Sequence, residues 1–320
     1  MRAVATERVK LLGVLYDSLP TEGAASAAEL AAASSLEPAE VAAAVEALKA
    51  EGARIVGDER TGYRRELPPP LDARAVAGLV AGPMNDAIFT FNTVVSTMAK
   101  AREIAFGGAP HGTTILAEEQ TAGRGRYGRG WASARRLGLY MSVVLEKEHL
   151  PREYGLLSLV AGVAAADAIA ATADLAPALK WPNDLMWEGS KLGGILAESY
   201  AEPDVLILGV GVNVFQCPYD FPSRVLYPVT SLAMAGANNI DRNALATAAL
   251  DSLERWLERW LAAGPEPVIA AWRDRNVTLG HRVRIAGTGV AGVAVDLTDD
   301  GALVVEDDAG RRRVLYSADV

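Results

Sequence analysis

Val9, Leu11, Leu12, Val14 and Leu15 recur at helical spacing and stop at Leu19-Pro20, which predicts a first helix. Ser26 precedes a short helical run through Ala32, with Glu29 three residues on, the pattern of a capping box. A third helix is predicted from Pro38 to Lys49, because proline suits a helix start and Val41, Val45 and Leu48 share one face. Two short strands, 54–56 and 62–64, follow across a polar turn. Three helices and a hairpin form the winged helix-turn-helix pattern over residues 1–66.

Pro68-Pro69-Pro70 reads as a stiff linker. Beyond it strands are predicted at 87–91, 113–118, 139–145, 192–198 and 205–210. Helices are predicted at 72–80, 96–103, 156–172, 253–261 and 265–273. From Val277 the pattern changes to short strands alone, at 282–285, 292–295, 302–305 and 313–315. Asp299-Asp300-Gly301 and Asp308-Ala309-Gly310 are hairpin turn signals between them. The expected class is α+β, with a winged helix at 1–66, a catalytic-sized domain at 71–273 and an SH3-like β-barrel at 277–320.

Half of the 320 residues are hydrophobic and 22% are charged, which is ordinary for a globular chain. A formal charge of −9 argues against bulk attraction to nucleic acid. The single cysteine, Cys217, excludes an internal disulfide framework and reads as a small buried or loop residue. Arg2, Glu7, Arg8 and Lys10 interrupt the N-terminal apolar residues, so no signal peptide is expected. The apolar stretches read as too short and too interrupted to span a bilayer. A soluble cytoplasmic protein with no membrane partner is expected. The winged-helix pattern raises DNA reading through the Pro38–Lys49 helix, yet that helix offers Glu40, Glu46 and alanines and no Arg, Asn or Gln for a base edge. Packing or dimerisation is the favoured role for this domain.

The densest chemistry lies in Gly123-Arg124-Gly125-Arg126-Tyr127-Gly128-Arg129-Gly130-Trp131. Glycines allow close backbone approach, and guanidinium forks suit phosphate or carboxylate. Gly123, Gly125 and Gly128 satisfy the dinucleotide fingerprint, but the next strand begins too soon for a crossover helix. The P-loop template fails because Arg129 and Gly130 hold its Lys and Ser/Thr positions. Four other clusters stand out: Ser96-Thr97 at a helix start, Gln120 before the loop, Lys180-Trp181-Pro182-Asn183-Asp184, and Lys191 before Leu192-Gly193-Gly194. Two of the chain's six lysines are in these runs. A fifth, Gly211-Val212-Asn213, ends a buried strand.

Taken in order, Gly-Arg-Gly-Arg-x-Gly-Arg-x-Trp, Lys-Trp-Pro-Asn-Asp-Leu, Lys-Leu-x-Gly-Ile-Leu and Gly-Val-Gly-Val-Asn resemble biotin protein ligase, in the bifunctional ligase/repressor form with an N-terminal winged helix. The resemblance covers nearly the whole chain. It implies a central mixed sheet related to class II aminoacyl-tRNA synthetases and two half-reactions. Biotin and MgATP give biotinyl-5′-adenylate and pyrophosphate, and a lysine of a biotin carboxyl carrier protein then takes the biotinyl group.

By the family pattern Ser96, Thr97, Gln120 and Gly123 hold biotin, together with Arg124, Arg126 and Lys191, which also offset anionic charge in catalysis. Arg126, Arg129, Trp131, Lys180, Asn183 and Asn213 face the nucleotide, with Trp131 stacking on adenine. Asp184 is the candidate for orienting or deprotonating the acceptor lysine. No protein metal ligands are implied, and dimerisation through the central sheet is a family expectation. Met98 departs from the family's Ser-Thr-Asn, and a thioether cannot replace an amide's donor and acceptor. Two other readings share parts of this pattern: a lipoate-type ligase, and a DNA-binding regulator that only senses biotinyl-adenylate.

Overall fold

The structure, a computed structural model, describes residues 2–78, 80, 84, 87–152, 154–225, 227–286 and 291–318. Helices α1 (Arg2–Ser18), α2 (Ala27–Ser34) and α3 (Pro38–Ala50) bury Leu15, Leu19, Leu30, Val41, Val45 and Leu48 against one another. The capping box is formed: Glu29 N–H donates to Ser26 Oγ at 3.3 Å and Ser26 N–H to Glu29 Oε2 at 2.8 Å. Strands β1 (Ile55–Asp58) and β2 (Gly62–Arg65) pair as an antiparallel hairpin.

Cys217 belongs to this same N-terminal core. Around it Tyr16 Oη donates to Asp220 Oδ1 at 2.9 Å, Tyr219 Oη donates to Glu51 Oε2 at 2.8 Å, and the Arg54 guanidinium lies 5.2 Å from the Phe215 ring. Residues 1–66 therefore rest on the segment 215–220. Burial pushes the Cys217 thiol up to about 12 and raises the Asp220 carboxyl, so the thiol is inert at neutral pH.

The linker is tied down by a buried ion pair. Arg242 Nη1 lies 2.8 Å from Glu118 Oε2, Arg242 Nη2 donates to Pro69 O at 2.6 Å, and Leu71 N–H donates to Glu118 Oε1. The short helix α4 (Ala73–Ala77) follows and ends earlier than the predicted 72–80, of which Leu79 is outside the described residues.

The central sheet has seven strands: β3 (Ile88–Phe91), β4 (Thr114–Ala117), β5 (Gly138–Glu146), β6 (Ala178–Lys180), β7 (Asp184–Trp187), β8 (Ser190–Tyr200) and β9 (Val205–Asn213). Their order is β3-β4-β5-β9-β8-β7-β6. Only β3 and β4 are parallel, joined by the crossover helix α5 (Thr97–Phe106); every other pairing is antiparallel. One face carries α6 (Leu157–Ala173), α7 (Arg242–Ala263) and α8 (Glu266–Arg273) over Leu139, Met141, Val143, Leu206, Leu208 and Val210. The other is covered in part by α5, through Met98, Ala101 and Ala105 on Val144, Val205 and Ile207.

Three sequence expectations need amending. Strands β6 and β7 were not predicted, because three- and four-residue strands around Trp181-Pro182-Asn183 carry too few alternations to read. Helix α7 begins at Arg242, not Leu253, because Asn243 and Thr247 dilute its first apolar turns. Tyr154–Ala173 is in fact long and apolar enough to cross a membrane, yet it packs within the core, as an all-round apolar helix of a folded domain should.

After α8 come β10 (Arg282–Arg284), β11 (Ala291–Leu297), β12 (Leu303–Glu306) and β13 (Arg312–Leu315), a four-stranded antiparallel sheet in chain order. Val283, Ile285, Leu297 and Leu303 join the same core as the central helices. The Trp181 indole N–H donates to Gly301 O at 2.9 Å and fastens the β6–β7 turn to this sheet. Ala318 is buried; Asp319 and Val320 lie outside the described residues.

Candidate active site

A cavity of about 420 Å³ opens over the sheet face that α5 leaves uncovered. Strand periodicity explains it. Along β9 the side chains at 205, 207, 209, 211 and 213 point to one face. Val205 and Ile207 fill it under α5, while Gly209 and Gly211 put no side chain there and leave room for other groups. A Cβ on Gly211 would lie 2.8 Å from Trp131 Cε2, and one on Gly209 would lie 2.8 Å from Met98 Sδ. Glycines replace aliphatic residues where the indole and the thioether lie on the sheet.

One end of the cavity is neutral and polar. Thr97 N–H donates to Gln120 Oε1 at 2.7 Å, Gln120 Nε2 donates to Ser133 Oγ at 2.7 Å, and Ser142 Oγ donates to Thr97 Oγ1 at 2.8 Å. Ser96 is buried, its hydroxyl has no partner among the described residues, and it is not among the lining residues. Gly123 also stays outside the lining and closes the loop instead, its carbonyl accepting the Trp131 amide at 2.9 Å. Met98 lines the cavity but is 3% exposed and packs in the α5 core, so it gives this end an apolar wall.

The rest of the lining is cationic. Arg124, Arg126, Arg129, Lys180, Lys191 and Arg224 line it, against Asp184 as the one carboxylate among the described lining residues. In a chain of net charge −9 this concentrates positive potential at one place. Lys191 Nζ is 2.6 Å from Asp184 Oδ1 and 5.6 Å from the centre of the Trp131 ring. Lys180 sits 4.3 Å over the Tyr227 ring. Arg124 leans outward to Glu198 Oε2 at 3.7 Å. Asn183 Nδ2 donates to Ile195 O at 2.6 Å, and its Oδ1 faces Arg126 Nη1 at 3.3 Å. Asn213 is buried, with Nδ2 donating to Thr230 O at 2.9 Å, so its amide braces the segment between β9 and α7.

The fold thus gathers around one cavity eleven of the thirteen residues singled out from the sequence, all but Ser96 and Gly123. It adds residues that sequence reasoning passed over. Ser142, which reaches the site through its bond to Thr97, could have been noticed as the one serine in the buried run of β5. Arg224 and Tyr227, on the segment after β9, carried no local signal.

A second group, His111, Glu146 and His149, stands at the Glu146 end of β5, with candidate ligand atoms within 4.8 Å of one another. The Glu146 amide donates to His111 Nδ1 at 3.1 Å. That leaves the ring proton on Nε2, the reverse of what ligation through Nε2 needs.

The comparisons with known proteins define the class to which this fold and cavity belong. Residues 91–214 match the biotin/lipoate A/B protein ligase family and residues 278–320 the biotin protein ligase C-terminal domain. A biotin--[acetyl-CoA-carboxylase] ligase of Mycobacterium tuberculosis is 40% identical over 80% of this chain and 96% of its own. The bifunctional ligase/repressor BirA of Bacillus subtilis is 34% identical over 86% and 87%. The biotin protein ligase of Aquifex aeolicus, solved with biotin and ATP, superposes with a TM-score of 0.64 at 27% identity over 72% of this chain and 96% of that one. The Leishmania major enzyme, solved with biotinyl-5-AMP, gives 0.53 at 28% over 74% and 100%. The chain belongs to the biotin protein ligase family. It is a ligase whose activity is the ATP-dependent attachment of biotin to protein.

Proposed function

We propose that this chain joins biotin to a lysine of a biotin carboxyl carrier domain through biotinyl-5′-adenylate, and that the cavity described above performs both steps. The observation that carries the reading is the division of that cavity into a neutral hydrogen-bonding end at Thr97 and Gln120 and a cationic end at Lys191 and the loop arginines. A ureido ring suits the first. The second suits a carboxylate brought against an α-phosphate, a meeting of two anions that needs fixed positive charge. In the first step the biotin carboxylate oxygen attacks the α-phosphorus and pyrophosphate leaves. In the second a lysine amine attacks the acyl carbon, AMP leaves and a proton is lost.

Arg126, Lys191 and Arg129 offset charge in the first step, and Trp131 offers its face to adenine. Magnesium enters with ATP. There it would offset phosphate charge; among the described lining residues Asp184 is the one carboxylate that could help hold it, and Asp184 is paired with Lys191. Asp184 then serves the second step by orienting the acceptor amine. Asp184→Asn is expected to leave pyrophosphate release near the wild-type rate and to slow transfer to a carrier domain by about tenfold or more. Equal loss in both steps would mean that Asp184 acts only by holding Lys191. The reading as a whole is tested by intact mass of a carrier domain after incubation with biotin and ATP, with lipoate as control; labelling by lipoate in place of biotin would overturn it.

Gly211→Ala is expected to push the Trp131 indole off the sheet, at about 1–3 kcal/mol, and to weaken ATP binding more than biotin binding. Calorimetric titration of each ligand checks this, and unchanged ATP affinity would remove Trp131 from the nucleotide site.

Three domains at 1–66, 71–273 and 277–320 suit this reading, with the last as an SH3-like barrel and the first as a winged helix in a cytoplasmic protein. The winged helix serves docking more than DNA reading. Arg54, just before β1, is held by Glu66 at 2.9 Å and Arg65 by Leu19 O at 3.1 Å, so both arginines are committed within the protein. Sequence-selective binding of duplex DNA by the intact protein would overturn that part.

A further inference from the structure

We propose that Ser317 and Tyr127 are positioning residues for Arg126 in adenylate formation, so that the C-terminal segment takes part in the first half-reaction. The proposal rests on the ligase reading above and deepens it.

Arg126 lies on the glycine-arginine loop and lines the cavity, yet its guanidinium is bound to the far end of the chain. Nη2 donates to Ser317 Oγ at 2.7 Å and to Tyr127 Oη at 2.9 Å. Those two hydroxyls also bond to one another at 3.0 Å, which closes a triangle between the loop and the segment after β13. Nη1 makes two longer contacts, to Asn183 Oδ1 and Ala318 O, each at 3.3 Å. The distances separate the two halves of the fork. Charge-assisted bonds from an arginine to phosphate form at about 2.7–2.9 Å, so an incoming anion readily replaces neutral acceptors held at the longer distance. The Nη2 side is already at good distance and stays on the tail. Arg126 is thus gripped by one edge and offers the other.

Tyr127 supports this arrangement in a second way. It is a non-glycine residue at φ +56°, a left-handed conformation that persists only where its surroundings hold it. The Arg126 and Arg129 guanidinium groups both approach its ring, at 4.9 and 5.6 Å, and its hydroxyl is held by Ser317. The tail therefore sets both the backbone turn that aims the loop arginines and the plane of one of them. Tyr127 is 60% exposed and Ser317 is exposed, so neither is a core residue whose loss would unfold the chain.

The test uses the full-length protein and pyrophosphate release from biotin and ATP. Ser317→Ala and Tyr127→Phe each remove one of the two short contacts, and each is expected to raise the KM for ATP about fivefold, the worth of one hydrogen bond. Because the two hydroxyls act together, the double variant is expected to fall short of the product of the single effects. Biotin affinity, measured by titration without ATP, is expected to fall less than the ATP value, because the neutral end at Thr97 and Gln120 is untouched, and Ser317→Thr, which keeps the hydroxyl, is expected to restore the ATP value. A tail that merely props the fold would weaken ATP and biotin alike and lower the thermal midpoint; that result overturns the proposal, as does an unchanged KM for ATP in both single variants. If the wild-type protein itself released no pyrophosphate, the ligase reading would fall and this proposal with it.

Discussion

Replacing Lys191 by alanine is expected to slow biotinyl-adenylate formation by about two to three orders of magnitude while leaving the protein folded. Lys191 is partly exposed at the mouth of β8, so little packing is lost. What is lost is a cation of the cavity lining, 2.6 Å from Asp184 and 5.6 Å from the centre of the Trp131 ring. The substitution acts twice. It removes a charge that offsets the repulsion between a carboxylate and a triphosphate, and it leaves Asp184 unpaired in the same place to add to that repulsion. Lys191→Arg is not expected to restore the rate, because a planar fork does not occupy the position of a compact ammonium. Single-turnover pyrophosphate release measures the effect, and a loss of less than about tenfold would place the decisive charge on the loop arginines instead.

The largest effect on stability is expected from Arg242→Ala, at about 3–5 kcal/mol. The Arg242 and Glu118 side chains are 2% and 4% exposed, so truncating the arginine strands a carboxylate in the interior. It also frees the carbonyls of Pro69 and Gly138, which accept from the same guanidinium. The linker then loses its hold, and so does the start of β5. Glu118 lies two residues before Gln120 in the chain, so weaker biotin binding should accompany the loss. Exchanging both partners, Arg242→Met with Glu118→Leu, is expected to recover part of the stability, since no charge is then stranded, but not all of it, because the Pro69 and Gly138 carbonyls and the Leu71 amide still lose their partners. Urea denaturation followed by circular dichroism would decide, and a loss below about 1 kcal/mol for the single variant would show that water reaches the pair.

Legibility differed from place to place for physical reasons. The Ser26–Glu29 cap, the face of α3 and the apolar strands β5 and β9 could be read because each depends on residues within one or two turns or along one strand. The β6–β7 hairpin could not, since it holds its shape by pairing with β8 and by the bond from Trp181 to Gly301, more than a hundred residues away. Gly209 and Gly211 were visible as glycines beside a valine alternation, but which face they opened depended on where α5 stops covering the sheet.

The sequence by itself determined the order of the longer elements, the family through its four motifs, and the residue types that the chemistry needs, because spacing and side-chain character are local properties of the chain. Only the tertiary structure decided how those residues are employed. It turned Asn213 and Asn183 to backbone carbonyls, paired Lys191 with Asp184, drew Arg124 toward Glu198, and brought Ser317 to Arg126 from the other end of the chain. A guanidinium or an amide is satisfied by whichever acceptor folding brings within about 3 Å, and that neighbour is set by the packing of the sheet and helices, not by position along the sequence.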